Sequence, residues 1–243
     1  MRLQVINPNT SGPMTAKIGD AAREAASPGT EIVAACPAHG PASIEGHFEE
    51  AIATAALLDE IEAGVRQGVD AHVIACFGDP GLLAARELAS GPVLGIAEAA
   101  MHAATFVATH FSVVTTLERT VVIAEHLLDR YGFRQHCRRV RAADVPVLDL
   151  EEAGSHARLR ILDECRRARD DDRAGAIVLG CAGMADLARE LSAELGVPVI
   201  DGVAAAVRFA EALVGIGVGT SKHGDLARPE PKTFLGRYSH WSA

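Results

Sequence analysis

The sequence predicts an α/β protein built of two similar halves, with parallel sheets covered by helices on both faces. Short apolar runs alternate with helix-like segments along the chain, the pattern of parallel sheets buried on both faces. The chain also carries an internal duplication. Residues 71–98, AHVIACFGDPGLLAARELASGPVLGIAE, are echoed by residues 176–204, AIVLGCAGMADLARELSAELGVPVIDGVA. Each copy reads as strand, cysteine at the strand's carboxyl end, glycine turn, helix, strand. Cys76 and Cys181 hold equivalent places, as do Pro92 and Pro198. If the two halves face each other, two thiols at equivalent strand ends meet across one cleft. That arrangement suits taking a proton from one face of a carbon and returning one to the other.

Taken in order, residues 3–6 form a first strand, stopped by Asn7-Pro8-Asn9. A helix capped near Thr10 or Ser11 follows to about residue 26, where Ser27-Pro28-Gly29 ends it. Residues 31–35 are the second strand. Residues 36–47, CPAHGPASIEGH, hold two prolines and two glycines without periodicity. They form a long loop, which in a compact domain often carries function. Residues 48–67 are helical, with Ile52, Ala55, Ala56 and Ile61 on the apolar positions. After the Cys76 unit, residues 98–110 are a further helix and a candidate crossing between halves. Residues 111–116 are a strand ending in the hydroxyls of Thr115 and Thr116, and residues 117–131 an amphipathic helix closed by Gly132. This strand, polar end and helix resemble the opening of the chain, which extends the duplication toward whole halves. Residues 137–141 and 145–150 are weaker strands, and residues 151–172 a charged helix. The Cys181 unit follows, then a helix over residues 203–214 ended by the glycine-rich residues 215–219, then an irregular tail over residues 220–243. The lobes divide as residues 1–97 with 203–243, and residues 98–202.

Composition narrows the function. At 243 residues the chain suffices for one large α/β domain or two small ones. A net charge of −9 with no basic run makes a poor nucleic-acid binder. No apolar stretch is long enough to span a membrane, and the start, MRLQVINPNT, lacks a signal-peptide pattern. Five cysteines without a CxxC pair argue against zinc and against a disulfide framework, and for a reduced, cytoplasmic setting. Residues 215–222, GIGVGTSK, follow a helix and lack the GKS or GKT ending of a phosphate loop, so a helix terminus is the better reading. No GxGxxG opens a helix after a strand. The three lysines, Lys17, Lys222 and Lys232, offer no convincing buried site for a pyridoxal Schiff base. The sequence thus implies neither metal nor cofactor.

In doubly covered parallel sheets ligands sit beyond the carboxyl ends of the strands. Asn7 and Asn9, Cys76 to Asp79, Thr115 and Thr116, and Cys181 to Gly183 all fall there. A free cysteine is often a small buried hydrophobe, which is the reading for Cys36, Cys137 and Cys165. Cys76 and Cys181 differ in being duplicated and in preceding a glycine and a helix. Backbone N–H groups and a helix N-terminus there are expected to lower the thiol pKa. Asn9, Thr115 and Thr116 are candidate substrate ligands, set against ordinary capping and turn formation. Asp79 is better read as the cap of the helix that follows it than as a group orienting a thiol. His47 is read as a surface residue, while the backbone near Ser43 and Ile44 is a candidate site wall.

Seven segments carry a family resemblance. INPNTS (6–11), SIEGH (43–47), CFGDPGL (76–82), GIAEAAMHAA (95–104), FSVVTT (111–116), VLGCAGMADL (178–187) and GVPVIDGV (196–203) resemble the hydantoin and allantoin racemases of the aspartate/glutamate racemase superfamily. The match spans almost the whole chain, with the tail least secure. The resemblance implies two α/β halves related by a pseudo-twofold, cofactor-independent racemisation by two cysteines, and a homo-oligomer. Matching the motifs gives Cys76 and Cys181 as the catalytic pair. In the superfamily's amino-acid racemases Asn-Thr or Thr-Glu follows the cysteines, to hold a carboxylate. Here Phe77-Gly78 and Ala182-Gly183 follow, which favours a neutral ring held by backbone N–H groups. The superfamily's decarboxylases keep only one of the two cysteines.

The expected function is racemisation of 5-monosubstituted hydantoins, with allantoin one such compound. Loss of the C5 proton gives a planar enolate. One cysteine acts as thiolate base and the other as thiol acid. Main-chain N–H groups after each cysteine, with Thr116, stabilise the enolate oxygens, and Phe77 contacts the ring unless it belongs to the core. Two alternatives stand beside this. One is a maleate-type isomerase, in which a cysteine attacks carbon. The other is a non-catalytic two-lobed ligand-binding protein, which would not need paired thiols.

Overall fold

The computed structural model describes residues 1–151 and 156–242. Its first half runs β1 (Arg2–Ile6), α1 (Gly12–Ala25), β2 (Glu31–Ala35), α2 (His47–Arg66), β3 (Ala71–Ile74), α3 (Leu82–Leu88), β4 (Val93–Gly95) and α4 (Ile96–Val107). The second half repeats the plan with β5 (Phe111–Thr115), α5 (Glu118–Tyr131), β6 (Cys137–Ala142), α6 (Ala157–Asp170), β7 (Ala176–Leu179), α7 (Ala188–Leu195), β8 (Val199–Ile200) and α8 (Gly202–Gly215). The strands form two four-stranded sheets, ordered β2-β1-β3-β4 and β6-β5-β7-β8. All pairings are parallel. Strand by strand the two sheets are equivalent, so the duplication seen at the cysteine units extends to both sheets.

The central strands are buried on both faces by helices and are mostly apolar, the buried Gln4 and His72 of β1 and β3 being paired with each other at 2.8 Å. Leu3, Val5, Ala71 and Val73 face one layer, while Ile6 and Ile74 face Leu57 and Ile61 of α2. Each fully buried Leu or Ile in these layers contributes about 1.5–3 kcal/mol. The last helix of each half crosses to the other sheet. Ala97, Ala100, Met101 and Ala104 of α4 pack on Phe111, Val113, Ala176 and Val178. Val203, Ala206, Val207 and Ala210 of α8 pack on β1 and β3 of the first sheet. The two halves are therefore clasped by exchanged helices. Small residues let these helices approach closely. A Cβ on Gly202 would lie 2.4 Å from the Ile96 carbonyl oxygen.

Local chemistry sets the element ends. Ser11 is the N-cap of α1, its hydroxyl accepting from Met14 N–H at 3.2 Å, with a proline in the first turn. Asp201 caps α8, accepting from the Val203 and Ala204 N–H groups at 3.0 and 2.8 Å. Residues 98–110, expected as a helix, begin two residues earlier at Ile96, directly from the end of β4. Residues 145–150, expected as a strand, form a 3-10 turn over Val147–Leu150 instead. Pro146 has no N–H to give a ladder, and Val145 N–H is already bonded to Thr116 O at 3.1 Å. The helix expected over residues 151–172 is α6, and residues 152–155 of that expectation lie outside the described residues. The second cysteine unit opens with a 3-10 turn, Ala182–Leu187, before α7.

The tail is irregular apart from short 3-10 turns at Gly224–Leu226 and Gly236–Trp241. Its start is fastened to the first half. Thr220 N–H donates to Ser90 O at 2.9 Å, and the Lys222 ammonium donates to Arg86 O and to Glu87 O, the latter at 3.1 Å. A cation there also sits well against the carboxyl end of α3. Among the described residues no helix is long and apolar enough to cross a membrane.

Candidate active site

The carboxyl ends of β1, β3, β5 and β7 converge on one cleft. Asn7 and Asn9 follow β1, Cys76 follows β3, Thr115 ends β5 with Thr116 next to it, and Cys181 follows β7; all six line it. Ile44, Phe77, Gly78 and Ala182, expected from the sequence, line it too. Ser43 and Gly183 fall outside the lining. Ser43 is half-buried in the loop leading to Ile44, and Gly183 N–H is turned to the Cys181 sulfur.

The two cysteines open turns of the same build. Asp79 N–H donates to Cys76 O at 3.0 Å, and Met184 N–H donates to Cys181 O at 3.1 Å. In each turn the second residue after the cysteine, Gly78 or Gly183, points its N–H at the thiol sulfur. Both thiols remain partly accessible from the cleft. The expectation that these turns lower the thiol pKa is corrected. Burial dominates, pushing Cys76 up to about 12 and Cys181 up to about 11. The Gly78 and Gly183 N–H groups pull the other way without overcoming it. Around Cys76 the electrostatic neighbours Cys181, Asp79 and Glu50 all raise it further. Around Cys181 the cation of Lys17 lowers it while Glu45 raises it.

Several cleft polar groups are already committed. Asn7 Nδ2 donates to Asn9 Oδ1 at 2.7 Å and to Thr15 Oγ1 at 3.0 Å, so Asn7 holds the loop after β1. Asn9 Oδ1 also accepts from Ser11 N–H at 2.9 Å, which leaves its amide nitrogen with only the Met14 sulfur at 3.6 Å. The Thr115 and Thr120 hydroxyls share a hydrogen bond of 2.9 Å. Thr116 hydroxyl has no such partner among the described residues. Asn9 amide and Thr116 hydroxyl are thus the side-chain donors left for a ligand.

Asp79 does cap a helix, but not the one after it. Its carboxylate accepts from the Ala97 and Glu98 N–H groups of α4 at 3.0 and 2.9 Å, and from Tyr131 hydroxyl of α5 at 2.8 Å. The residue is buried in the left-handed region, φ 45°, which aspartate tolerates better than most. Burial pushes its pKa up to about 6 against those donors. A Cβ on Gly95 would stand 2.2 Å from this carboxylate, so that position must stay bare. The Cys76 turn is thereby fixed to a helix start in one direction and to the second half in the other. Asp79→Ala strips one buried and two part-buried donors of their acceptor and is expected to lower the unfolding free energy by about 3 kcal/mol in urea titrations. Asp79→Asn, which keeps one acceptor, is expected to cost about half as much.

Sequence reading missed the walls supplied by helices and by the 3-10 turn: Met14, Glu50, Thr120, Ile123, Ala124 and Val147. The one available signal was position, since Glu50 lies just after the long loop already marked as functional. Among the described residues no group of three or more His, Cys, Asp or Glu side chains is placed to hold a metal ion.

A profile described as Asp/Glu/hydantoin racemase matches residues 3–210. A hydantoin racemase of Rhizobium meliloti is 50% identical over 236 residues, covering 97% of this chain and 98% of the relative. Among solved structures, allantoin racemase from Klebsiella pneumoniae superposes with a TM-score of 0.98 at 62% identity, covering 100% of this chain and 99% of that one. Allantoin racemase from Pseudomonas fluorescens gives a TM-score of 0.93 at 43% identity, covering 97% and 100%.

Proposed function

The chain belongs to the Asp/Glu/hydantoin racemase family and is a racemase, and from that premise we propose that it inverts C5 of 5-monosubstituted hydantoins, allantoin among them, by passing protons through Cys76 and Cys181. The observation that carries this reading is the matched pair of cysteine turns, ending β3 and β7 and opening into one cleft. C5 of the ring lies next to a carbonyl, so its proton is acidic enough for a thiolate to take. The thiolate on one side forms an S–H bond as the C5–H bond breaks, and the electron pair moves onto the carbonyl oxygen. The thiol on the other side then gives its proton to the opposite face of C5. The enzyme is left with the two sulfur roles exchanged, ready for the other enantiomer.

A neutral ring offers carbonyl oxygens and ring N–H groups. Main-chain N–H groups of Phe77 and Ala182, with the free Thr116 hydroxyl and Asn9 amide, are the donors assigned to the oxygens, while those of Gly78 and Gly183 serve the two sulfurs. Thr115 holds Thr120 and the strand end. Phe77 and Ile44 supply apolar wall, and Ser43 carries the loop that brings Ile44 in. The reaction as written draws on no cofactor. The same reading takes the lobes as residues 1–97 with 203–243 and residues 98–202, and the protein as a cytoplasmic homo-oligomer.

Polarimetry tests this directly. Enantiopure allantoin and enantiopure 5-benzylhydantoin should each lose optical rotation with enzyme far faster than without it. Rotation decaying at the uncatalysed rate for both compounds would overturn the assignment.

A further inference from the structure

Glu50 is the one charged side chain among the described residues that line the cleft, and the proton transfer between the two thiols does not use it. It sits in the first turn of α2, with its side chain 28% exposed. It stands over the Cys76 turn. From the point where a Cβ on Gly78 would lie, the Glu50 carboxyl carbon is 3.9 Å away, and Cys76 Sγ and Ile123 Cγ2 are each 4.0 Å away. Its carboxylate accepts no hydrogen bond within ordinary range from the described residues. His47 Nδ1 is 3.8 Å off, beyond ordinary hydrogen-bond range, and belongs to an exposed ring. Ile44, Ile123 and Ala124 line the same cleft with apolar surface. Burial accordingly raises the Glu50 carboxyl pKa, against the pull of His47 and Arg130.

We propose that Glu50 reads the substituent on C5, selecting hydantoins whose substituent donates N–H groups, and ureido compounds such as allantoin above all. The inference rests on the racemase reading and deepens it. C5 must lie against Cys76 Sγ for the reaction, so the substituent on C5 is the part of the ligand that reaches the groups bordering that sulfur. A ligand filling the cleft takes the remaining water from Glu50. An alkyl or aryl substituent does so without offering a donor, which is costly for a carboxylate. A ureido group, –NH–CO–NH2, carries two parallel N–H bonds on the side away from its carbonyl. Their spacing matches the two oxygens of one carboxylate, giving a bidentate, charge-assisted pair. The ring donors and the thiols serve every hydantoin alike, so discrimination falls on this wall.

The test compares kcat/KM for allantoin and for 5-isopropylhydantoin in wild type, Glu50→Gln and Glu50→Leu, by polarimetry. The allantoin-to-isopropyl ratio should fall about 10- to 100-fold in Glu50→Leu, chiefly through a higher KM for allantoin, and by less in Glu50→Gln. Glu50→Gln keeps the shape of the side chain and carries the test if the leucine variant does not fold. A ratio unchanged within about twofold, or equal losses on both substrates, overturns the role given to Glu50 while leaving the racemase reading intact. A wild type inactive on both hydantoins overturns both.

Discussion

Replacing either Cys76 or Cys181 with serine is expected to lower racemisation by at least about a thousandfold, within the range that a positioned acid or base supplies. A serine hydroxyl is far less acidic than a thiol, so neither base nor acid survives on the altered side. The variants should differ in a second measurement. The thiol that remains can still lift a proton from its own face and return one to the same face. In D2O, Cys76→Ser should place deuterium at C5 of one enantiomer without inverting it, and Cys181→Ser should do so with the opposite enantiomer. Proton NMR of C5–H reads this directly. Folding is not at issue, because the substituted atoms line the cleft and their turns are held by the main chain, Asp79 N–H to Cys76 O and Met184 N–H to Cys181 O. Undiminished racemisation by either variant would sink the two-thiol mechanism. Exchange into the same enantiomer by both variants would place the two sulfurs on one face of the ring and defeat it equally.

That experiment turns on a feature legible in the sequence, and the reason is local. Each cysteine turn is a contiguous stretch whose strand, glycine and helix signals sit within a few residues, so the duplication showed itself as repeated text. The equivalence of the two sheets followed from it. What the sequence did not disclose depends on neighbours far along the chain. Asp79 was read as capping the helix after it, because capping signals are local. Its carboxylate instead reaches the start of α4 and Tyr131 of α5. The division of the chain at residues 97/98 and 202/203 already set α4 with the second lobe and α8 with the first, although periodicity alone does not give it, since an alanine-rich helix has the same pattern whichever sheet it covers. Glu50, Thr120 and Ile123 lie on helices whose tips lean over the strand ends, and helical spacing alone does not say which tip faces a cleft. The thiol pKa was misjudged for a related reason. The N–H groups near each sulfur were readable, but the apolar surroundings that outweigh them were not.

Those surroundings fix how the reaction should depend on pH. With Cys76 at about 12 and Cys181 at about 11, both sulfurs of the free protein are protonated thiols near neutrality. The proposed mechanism needs a form with one proton fewer, one thiolate facing one thiol, and kcat/KM reports the ionisation of the free enzyme. The sign follows. Below the first ionisation of the pair, each unit of added pH increases the singly ionised fraction tenfold. Between pH 7 and 9, kcat/KM should therefore rise about tenfold per unit, about a hundredfold in all, once corrected for ionisation of the substrate ring. The rate of inactivation by iodoacetamide should climb in parallel, since it too needs the thiolate. Lys17 lowers Cys181, and no comparable cation lies by Cys76 among the causes of its shift. Lys17, itself paired with Asp186 at 3.0 Å, favours the Cys181 thiolate, so Lys17→Met is expected to push the rising limb to higher pH and depress kcat/KM at pH 8. Mass spectrometry after partial alkylation in wild type should find Cys181 modified ahead of Cys76. A flat profile of both rates from pH 7 to 9 would mean that one sulfur is already a thiolate in the empty cleft. The N–H groups of Gly78 and Gly183 would then have outweighed burial after all.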